Sequence, residues 1–349
     1  MSTPNLNLAI VGTGIFATDT HLPTIKSIPY LTPVAAFNRT KSKAEVFATK
    51  AGISPSKVYD TLEEIFKDDS IDFVDALLPV QNNLDITKLA IQYNKPLAFE
   101  KPIAANLSQA REIVQLSKNT DLPIMVLENW SFSSAIKVLK EEAIPKIGEV
   151  VSFTYRATGA WNDNNKYLNT SWRKNPEHVG GYLSDGGVHQ LALLTDVLGP
   201  VESISALTKQ LRAESGDDDI LFSTLKLKSN VIGTFTYGSA YGATDKSTSF
   251  TIYGTNGSIV YDFSPNLPKP TVTYQTGTSS GTASEKTVIE IEEVDTIQEE
   301  FKNFAAAVTA KDKSIIVVTP EKAFHHLAII AAAIDSSKSN GNSVTVATP

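Results

Sequence analysis

Lys101, in the tripeptide Glu100-Lys101-Pro102, sets an amine at the end of the apolar, strand-like run Pro96 to Phe99. In an open α/β sheet ligands bind beyond the carboxyl ends of strands, and a lysine there can orient or protonate a carbonyl oxygen. A solvated Lys in a surface turn is the competing reading, because Lys and Glu are mostly exposed. Asp185 and His189 form a second candidate pair, four residues apart and so one turn above each other on a helix. A carboxylate beside an imidazole holds the ring's tautomer and raises its basicity, as a proton-transferring His requires. A helix cap plus a core His is the plainer alternative. Gly180, Gly181, Gly186 and Gly187 crowd the same segment, and glycine inside a helix costs about 1 kcal/mol against Ala. Close approach of a ligand or of another domain would explain that cost.

These groups need elements to hold them. Leu6 to Val11 is an apolar run ending in Gly12-Thr13-Gly14-Ile15-Phe16-Ala17, the G-x-G-x-x-A form of the dinucleotide fingerprint. Gly12 permits the tight turn, Gly14 lets a pyrophosphate approach the backbone, and Ala17 allows close packing of helix on strand. The helix N-terminus then faces the phosphates, with Thr13, Ile15 and Phe16 completing the cofactor loop. A second apolar run, Pro33 to Phe37, ends in Asn38-Arg39-Thr40-Lys41-Ser42-Lys43. The Asp or Glu that would accept both ribose hydroxyls of NAD is missing there. A neutral Asn38 followed by Arg39, Lys41 and Lys43 attracts a 2′-phosphate instead, so NADP(H) is the expected cofactor. An ordinary basic loop before a helix is the alternative.

Strand-like runs alternate with helical ones from Leu6 to about Asn129, with further strands expected at Lys57 to Asp60, Ile71 to Leu78, Pro96 to Phe99 and Pro123 to Leu127. Such alternation indicates βαβ units and a parallel sheet. After Asn129 the pattern turns to longer, alternating, Thr- and Val-rich runs from Glu149 to Ile291, punctuated by turn signals such as Ser229-Asn230 and Asn256-Gly257. Tyr274 to Glu285 is Gly-, Ser- and Thr-rich and reads as a mobile hairpin loop, and helices return at about Ile297 to Thr309 and Pro320 to Ser337. The expected architecture is an α/β Rossmann domain over 1–129 and an α+β domain with a large, mostly antiparallel sheet over 130–349.

Length supports two domains, since 349 residues exceed one ordinary core. The balance of 31 basic and 38 acidic residues, with no long basic stripe, argues against nucleic-acid binding. No apolar run is long enough to span a bilayer, and Met1 to Asn7 has neither the basic start nor the apolar core of a signal peptide. The absence of cysteine excludes disulfides, thiolate catalysis and Cys-ligated zinc. A cytoplasmic setting with a small-molecule partner, and neither membrane nor nucleic acid, is therefore expected. Asp185 and His189 have no third ligand at metal spacing, so no metal is expected.

Together the fingerprint Gly12 to Ala17, Glu100-Lys101-Pro102, and Gly180-Gly181 followed by Asp185 and His189 resemble the glucose-fructose oxidoreductase, inositol dehydrogenase and rhizopine-catabolism (Gfo/Idh/MocA) family, over nearly the whole chain. Fungal cytosolic NADP(H)-linked members are the nearest likeness. The resemblance implies hydride transfer between nicotinamide and a carbonyl or hydroxyl carbon of a sugar, anhydrosugar, polyol or diol. It also implies a homodimer or homotetramer formed through the C-terminal sheet. The family's catalytic lysine falls on Lys101 and its Asp/His pair on Asp185 and His189, which would also touch substrate. Contacts to cofactor or substrate fall on Glu100, Asn129, Trp172 and Arg173, although as sequence features alone Trp172 reads as packing and Arg173 as a surface charge, and cofactor contacts fall on Leu78, Pro79 and Asn82. In that last stretch many members carry Asn-x-x-His, whereas Pro79-Val80-Gln81-Asn82-Asn83 has no His. Trp161 and Asn165 belong to a polar-aromatic loop that is either a sugar-pocket wall or a solvated connection. The same fold also includes a non-catalytic, NADP-binding regulatory protein. That remains the alternative, although the retained Lys101, Asp185 and His189 favour an enzyme.

Overall fold

The computed structural model describes residues 4–166 and 176–349. These divide into two compact units, Met1–Asn129 with Asp295–Phe324 and Pro349, and Trp130–Val294 with His325–Thr348.

In the first unit β1 (Leu6–Val11), β2 (Leu31–Phe37), β3 (Phe73–Ala76), β4 (Leu97–Glu100) and β5 (Ile124–Leu127) form a parallel sheet in the order β2-β1-β3-β4-β5. The strands are short apolar runs because helices cover both faces; β3 and β5 are buried at every residue. Helices α1 (Leu22–Ser27), α2 (Lys41–Ala51), α3 (Leu62–Lys67), α4 (Asn83–Gln92) and α5 (Leu107–Lys118) supply that cover. Local chemistry fixes the starts of α3 and α5. Thr61 and Glu64 close a capping box on α3, and Asn106 Oδ1 accepts the Gln109 N–H at 3.0 Å to open α5. The strand expected at Lys57 to Asp60 does not form. Pro55–Lys57 is a 3-10 turn, and only Val58 makes a single bridge to Ala36.

The second unit is built on a nine-stranded sheet in the order β13-β12-β11-β10-β6-β9-β8-β7-β14. Its strands are β6 (Val150–Ala160), β7 (Val201–Lys209), β8 (Ile220–Leu227), β9 (Ile232–Tyr241), β10 (Ser247–Gly254), β11 (Gly257–Asp262), β12 (Thr271–Thr276), β13 (Thr287–Glu290) and β14 (Val344–Thr345). Every neighbouring pair is antiparallel except β6 and β9. Period-two burial puts Phe153, Tyr155, Phe235 and Phe250 on one face, against α7 (Gly181–Leu198), where Tyr155 Oη donates to Gln190 Oε1 at 2.8 Å. Before this sheet, α6 (Ser134–Lys137) continues as a π-helical segment, Val138–Ala143.

The segment Asp295–Phe324, placed in the second domain by its position in the sequence, clusters with the first unit. Its helix α8 (Thr296–Ala310) buries Phe301, Phe304 and Ala305, and Phe304 meets Phe73 of β3 edge-on at 5.2 Å. An apolar helix stripe of this kind needs a sheet to cover, and the parallel sheet provides it. The last helix, α9, spans Pro320–Lys338.

Candidate functional site

The loop leaving β1 has the shape its glycines allow. Gly12 has φ +94°, and a β-carbon there would strike the Leu77 carbonyl, so only glycine fits. A β-carbon on Gly14 would meet nothing within 4 Å. The chain is helical from Ile15 onward, with a π-helical stretch Ala17–His21 before α1, so a helix N-terminus follows the loop directly. Beside the loop lies a cavity of about 270 Å³ lined by Thr13, Thr18, Ser42, Lys43, Phe47 and Lys50. Two ammonium groups and three hydroxyls, among them the buried Thr13 Oγ1, which has no hydrogen-bond partner among the described residues, suit an anionic ligand. Asn38 Oδ1 accepts the Thr40 N–H at 2.9 Å, which shapes the turn after β2, and Arg39 is exposed on it. Lys41, expected to add positive charge for the cofactor, is instead paired with Asp60 at 2.7 Å.

Lys101 follows the carboxyl end of β4, in the same parallel sheet that carries the glycine loop after β1. Its N–H donates to the Leu127 carbonyl at 3.3 Å, and the Lys101–Pro102 peptide is cis. The turn is held from beneath by Asn83. This buried side chain donates from Nδ2 toward the carbonyls of Glu100, Pro102 and Ile103 at 3.2, 3.1 and 3.3 Å. Its neighbour Asn82, the residue expected to contact the cofactor, is exposed, and its Nδ2 donates back to the Pro79 carbonyl at 3.1 Å. Leu78 and Pro79 lie in the loop between β3 and the 3-10 turn Val80–Asn82. Asn129 Nδ2 donates to Thr296 Oγ1 at 2.7 Å, tying the end of β5 to the start of α8.

A polar cluster sits under this edge of the sheet. His21 is fully buried, with Nδ1 2.8 Å from Asp75 Oδ2 and Nε2 3.1 Å from Glu100 Oε1. Burial disfavours its cation, but the charge and hydrogen bond of Asp75, reinforced by Glu100, outweigh this and raise the imidazole to about 10. Asp75 is pushed upward by its own burial against the pull of His21, so the pair as a whole retains its proton. Glu300 of α8 is buried nearby. Desolvation first, then the charge of Glu100, drives its carboxyl well above the usual range. The sequence carried one usable signal for this cluster: Asp75 interrupts a strand that is otherwise apolar on both faces, where a buried acid requires a partner.

In the second unit Asp185 and His189 lie on α7 as their spacing predicts. Tyr182, Asp185, Gly186 and His189 form its half-exposed stripe, while Leu183, Ser184, Gly187, Val188 and Gln190 are buried. The Trp130 ring stacks on His189 at 5.7 Å and 23°, which fixes the imidazole plane. Tyr182 is raised to about 12, chiefly by burial and then by the charges of Asp219 and Asp185. Trp161 lies 6.1 Å from the Tyr182 ring, on the same side of the unit as this stripe, whereas Asn165 is exposed. Trp172 and Arg173 lie outside the described residues. The glycines at the start of α7 have close packing neighbours within this unit. A β-carbon on Gly186 would overlap Tyr237 Oη of β9, and one on Gly180 would collide with Ile330 of α9.

Two family models match the chain: the oxidoreductase family NAD-binding Rossmann fold over residues 6–128, and the oxidoreductase family C-terminal alpha/beta domain over 141–346. The chain is 49% identical to the uncharacterized protein YMR315W of Saccharomyces cerevisiae, over 99% of both chains. The crystal structure of an oxidoreductase from Thermotoga maritima superposes with a TM-score of 0.85 at 31% identity, covering 98% of each chain. D-Apiose dehydrogenase of Rhizobium rhizogenes is 25% identical over 63% of this chain and 62% of its own length.

Proposed function

The chain belongs to the Gfo/Idh/MocA family of oxidoreductases, and on that premise we propose that it is an NADP(H)-dependent enzyme acting on a CH–OH or carbonyl carbon of a sugar, anhydrosugar, polyol or diol. The observation that carries the reading is the placement of Lys101 and the Gly12–Gly14 loop at the carboxyl ends of strands of one parallel sheet, where such sheets bind ligands. When bound, the nicotinamide supplies the hydride chemistry.

The chain's own groups align the substrate and handle the proton. Gly12 to Phe16 receive the pyrophosphate on bare backbone and a helix N-terminus, and Arg39 and Lys43 attract a 2′-phosphate. In reduction, Lys101 and His189 stabilise and protonate the developing alkoxide, while Asp185 orients His189; in oxidation they accept the hydroxyl proton. The sugar-dehydrogenase relative supports a carbohydrate substrate. A homodimer or homotetramer is supported by exposed Leu207, Phe222 and Ile232 on the open face of the large sheet, where Leu207 and Phe222 are cross-strand partners. Among the described residues no helix is long and apolar enough to cross a membrane.

The test is turnover of NADPH and NADP+ against a panel of aldoses, ketoses, anhydrosugars and cyclic polyols, with NADH and NAD+ in parallel. Turnover of at least one panel compound, faster with the phosphorylated cofactor, is expected. Tight dinucleotide binding with no turnover across the panel would leave a regulatory protein as the better reading.

A further inference from the structure

The buried cluster of the first unit joins three elements at one point. His21 comes from the helix that follows the glycine loop, Asp75 from β3, and Glu100 from the end of β4. Both imidazole nitrogens lie within hydrogen-bond distance of carboxyl oxygens, at 2.8 and 3.1 Å. The rings of Phe16 and Phe301 close around the imidazole edge-on, at 4.9 and 5.1 Å, and leave it no solvent. Burying charged groups is costly even when they are paired, and apolar side chains of similar size would pack there more cheaply. Their retention calls for a task that packing alone does not perform.

Glu100 directly precedes Lys101. Its carboxylate is held by His21 and its carbonyl by Asn83, while the Lys101 N–H remains on the ladder to Leu127. The peptide from which the lysine departs is therefore fixed on both sides. We propose that His21, seated on Asp75, is a positioning residue for Lys101: by holding Glu100 it sets the direction in which the lysine amine is presented. The proposal rests on the reading of Lys101 as the proton-handling group. Misplacing a reacting group by about 1 Å costs on the order of 100-fold in rate, so a loosened Glu100 has a measurable consequence.

The decisive experiment is a double-mutant cycle on the full chain, following NADPH oxidation with D-fructose, D-xylose and D-apiose as probes. Glu100→Ala should lower kcat about 10- to 100-fold while substrate KM stays within about threefold. Glu100→Gln keeps an acceptor for Nε2 and should recover at least about fivefold of that loss. In a Lys101→Ala background the further change Glu100→Ala should cost less than about threefold, because its effect has already been removed. Equal losses in both backgrounds, or a Gln variant no better than Ala, would overturn the proposal. Wild-type turnover by Lys101→Ala itself would instead overturn the reading of Lys101. If none of the probes is turned over, reductive methylation with formaldehyde and cyanoborohydride, read at Lys101 by peptide mass spectrometry, decides the matter. Glu100→Ala should then change the labelling rate of Lys101 at least about threefold relative to the other lysines, and Glu100→Gln should not; no change with either sinks it. If Glu100→Ala does not fold, His21→Gln takes its place in the same measurements.

Discussion

Tyr237 Oη of β9 occupies the space that a β-carbon on Gly186 of α7 would need. The helix therefore lies against the sheet through bare backbone, one residue after Asp185. In an open helix Gly→Ala gains about 1 kcal/mol, whereas here overpacking reverses the sign. Gly186→Ala should destabilise the protein by about 1–3 kcal/mol, read as a fall in thermal midpoint. Tyr237→Phe removes the hydroxyl but leaves the ring carbon close by, so it should restore only part of the loss when combined with Gly186→Ala. A Gly186→Ala protein as stable as wild type would contradict this packing.

Replacing Lys101 by Ala should abolish most turnover while leaving NADPH binding nearly intact. The lysine stands after β4, whereas the anion-binding features gather around the Gly12–Gly14 loop and Lys43. Loss of a positioned proton donor typically costs about 10² to 10⁴ in rate. Rates and NADPH fluorescence titrations on the same preparation separate the two effects, and activity within about threefold of wild type would refute the role.

Asp185 and His189 share the half-exposed stripe of α7, and Trp130 fixes the imidazole plane from one side. If the carboxylate sets the protonation of that ring, the two act as a unit. Asp185→Asn and His189→Asn should each impair turnover, with the double variant losing far less than the product of the single losses. Trp130→Ala should lower kcat more than it alters cofactor affinity. Multiplicative losses in folded variants would show that the two residues act separately.

Short apolar runs bounded by Gly and Pro made the parallel strands legible, since a strand buried on both faces leaves that pattern. The glycine loop was legible for a similar reason, because Gly12 answers a local steric demand, the Leu77 carbonyl lying where its β-carbon would be. Partners brought by the fold from far along the chain were not. Gly180 and Gly186 announced a close neighbour without saying that it was Ile330 or Tyr237. Asn83 looks like its neighbour Asn82, and only the turn after β4 reveals which side chain is buried beneath it. Glu300 falls on the apolar stripe of a helix whose return to the first sheet has no local signature.

Cofactor preference should follow Arg39. Asn38 spends its carbonyl oxygen on the Thr40 N–H, and Lys41 is engaged by Asp60. Arg39 and Lys43 are then the cations of this turn left to meet a 2′-phosphate. Charge-assisted hydrogen bonds of that kind are worth about 1.5–3 kcal/mol, roughly a ten- to hundredfold preference for NADPH over NADH. Arg39→Ala should weaken NADPH far more than NADH, and Asn38→Asp should add to the effect by repelling the phosphate. Titrations of both cofactors at one fixed salt concentration check this. Equal affinities in the wild type, or equal losses in the variant, would reject the NADP assignment.

Glu300 gives the stability of the protein a definite pH dependence. Its carboxyl is buried, its Oε2 has no hydrogen-bond partner among the described residues, and burial with the charge of Glu100 raises it well above its ordinary value of 4.5. Between that value and its folded one, the folded state keeps a proton that the unfolded chain has released. Stability therefore falls as pH rises across this window. His21 acts in the same direction: raised from 6.5 to about 10, it contributes stability that is complete below 6.5 and lost as pH climbs through about 10. Glu300→Gln removes only the first contribution, and any unsatisfied amide it introduces costs the same at every pH. The thermal midpoint of Glu300→Gln relative to wild type should accordingly be lowest near pH 4 and rise steadily toward pH 9. A difference between the two proteins that stays flat across that range would show that Glu300 is not held protonated in the fold.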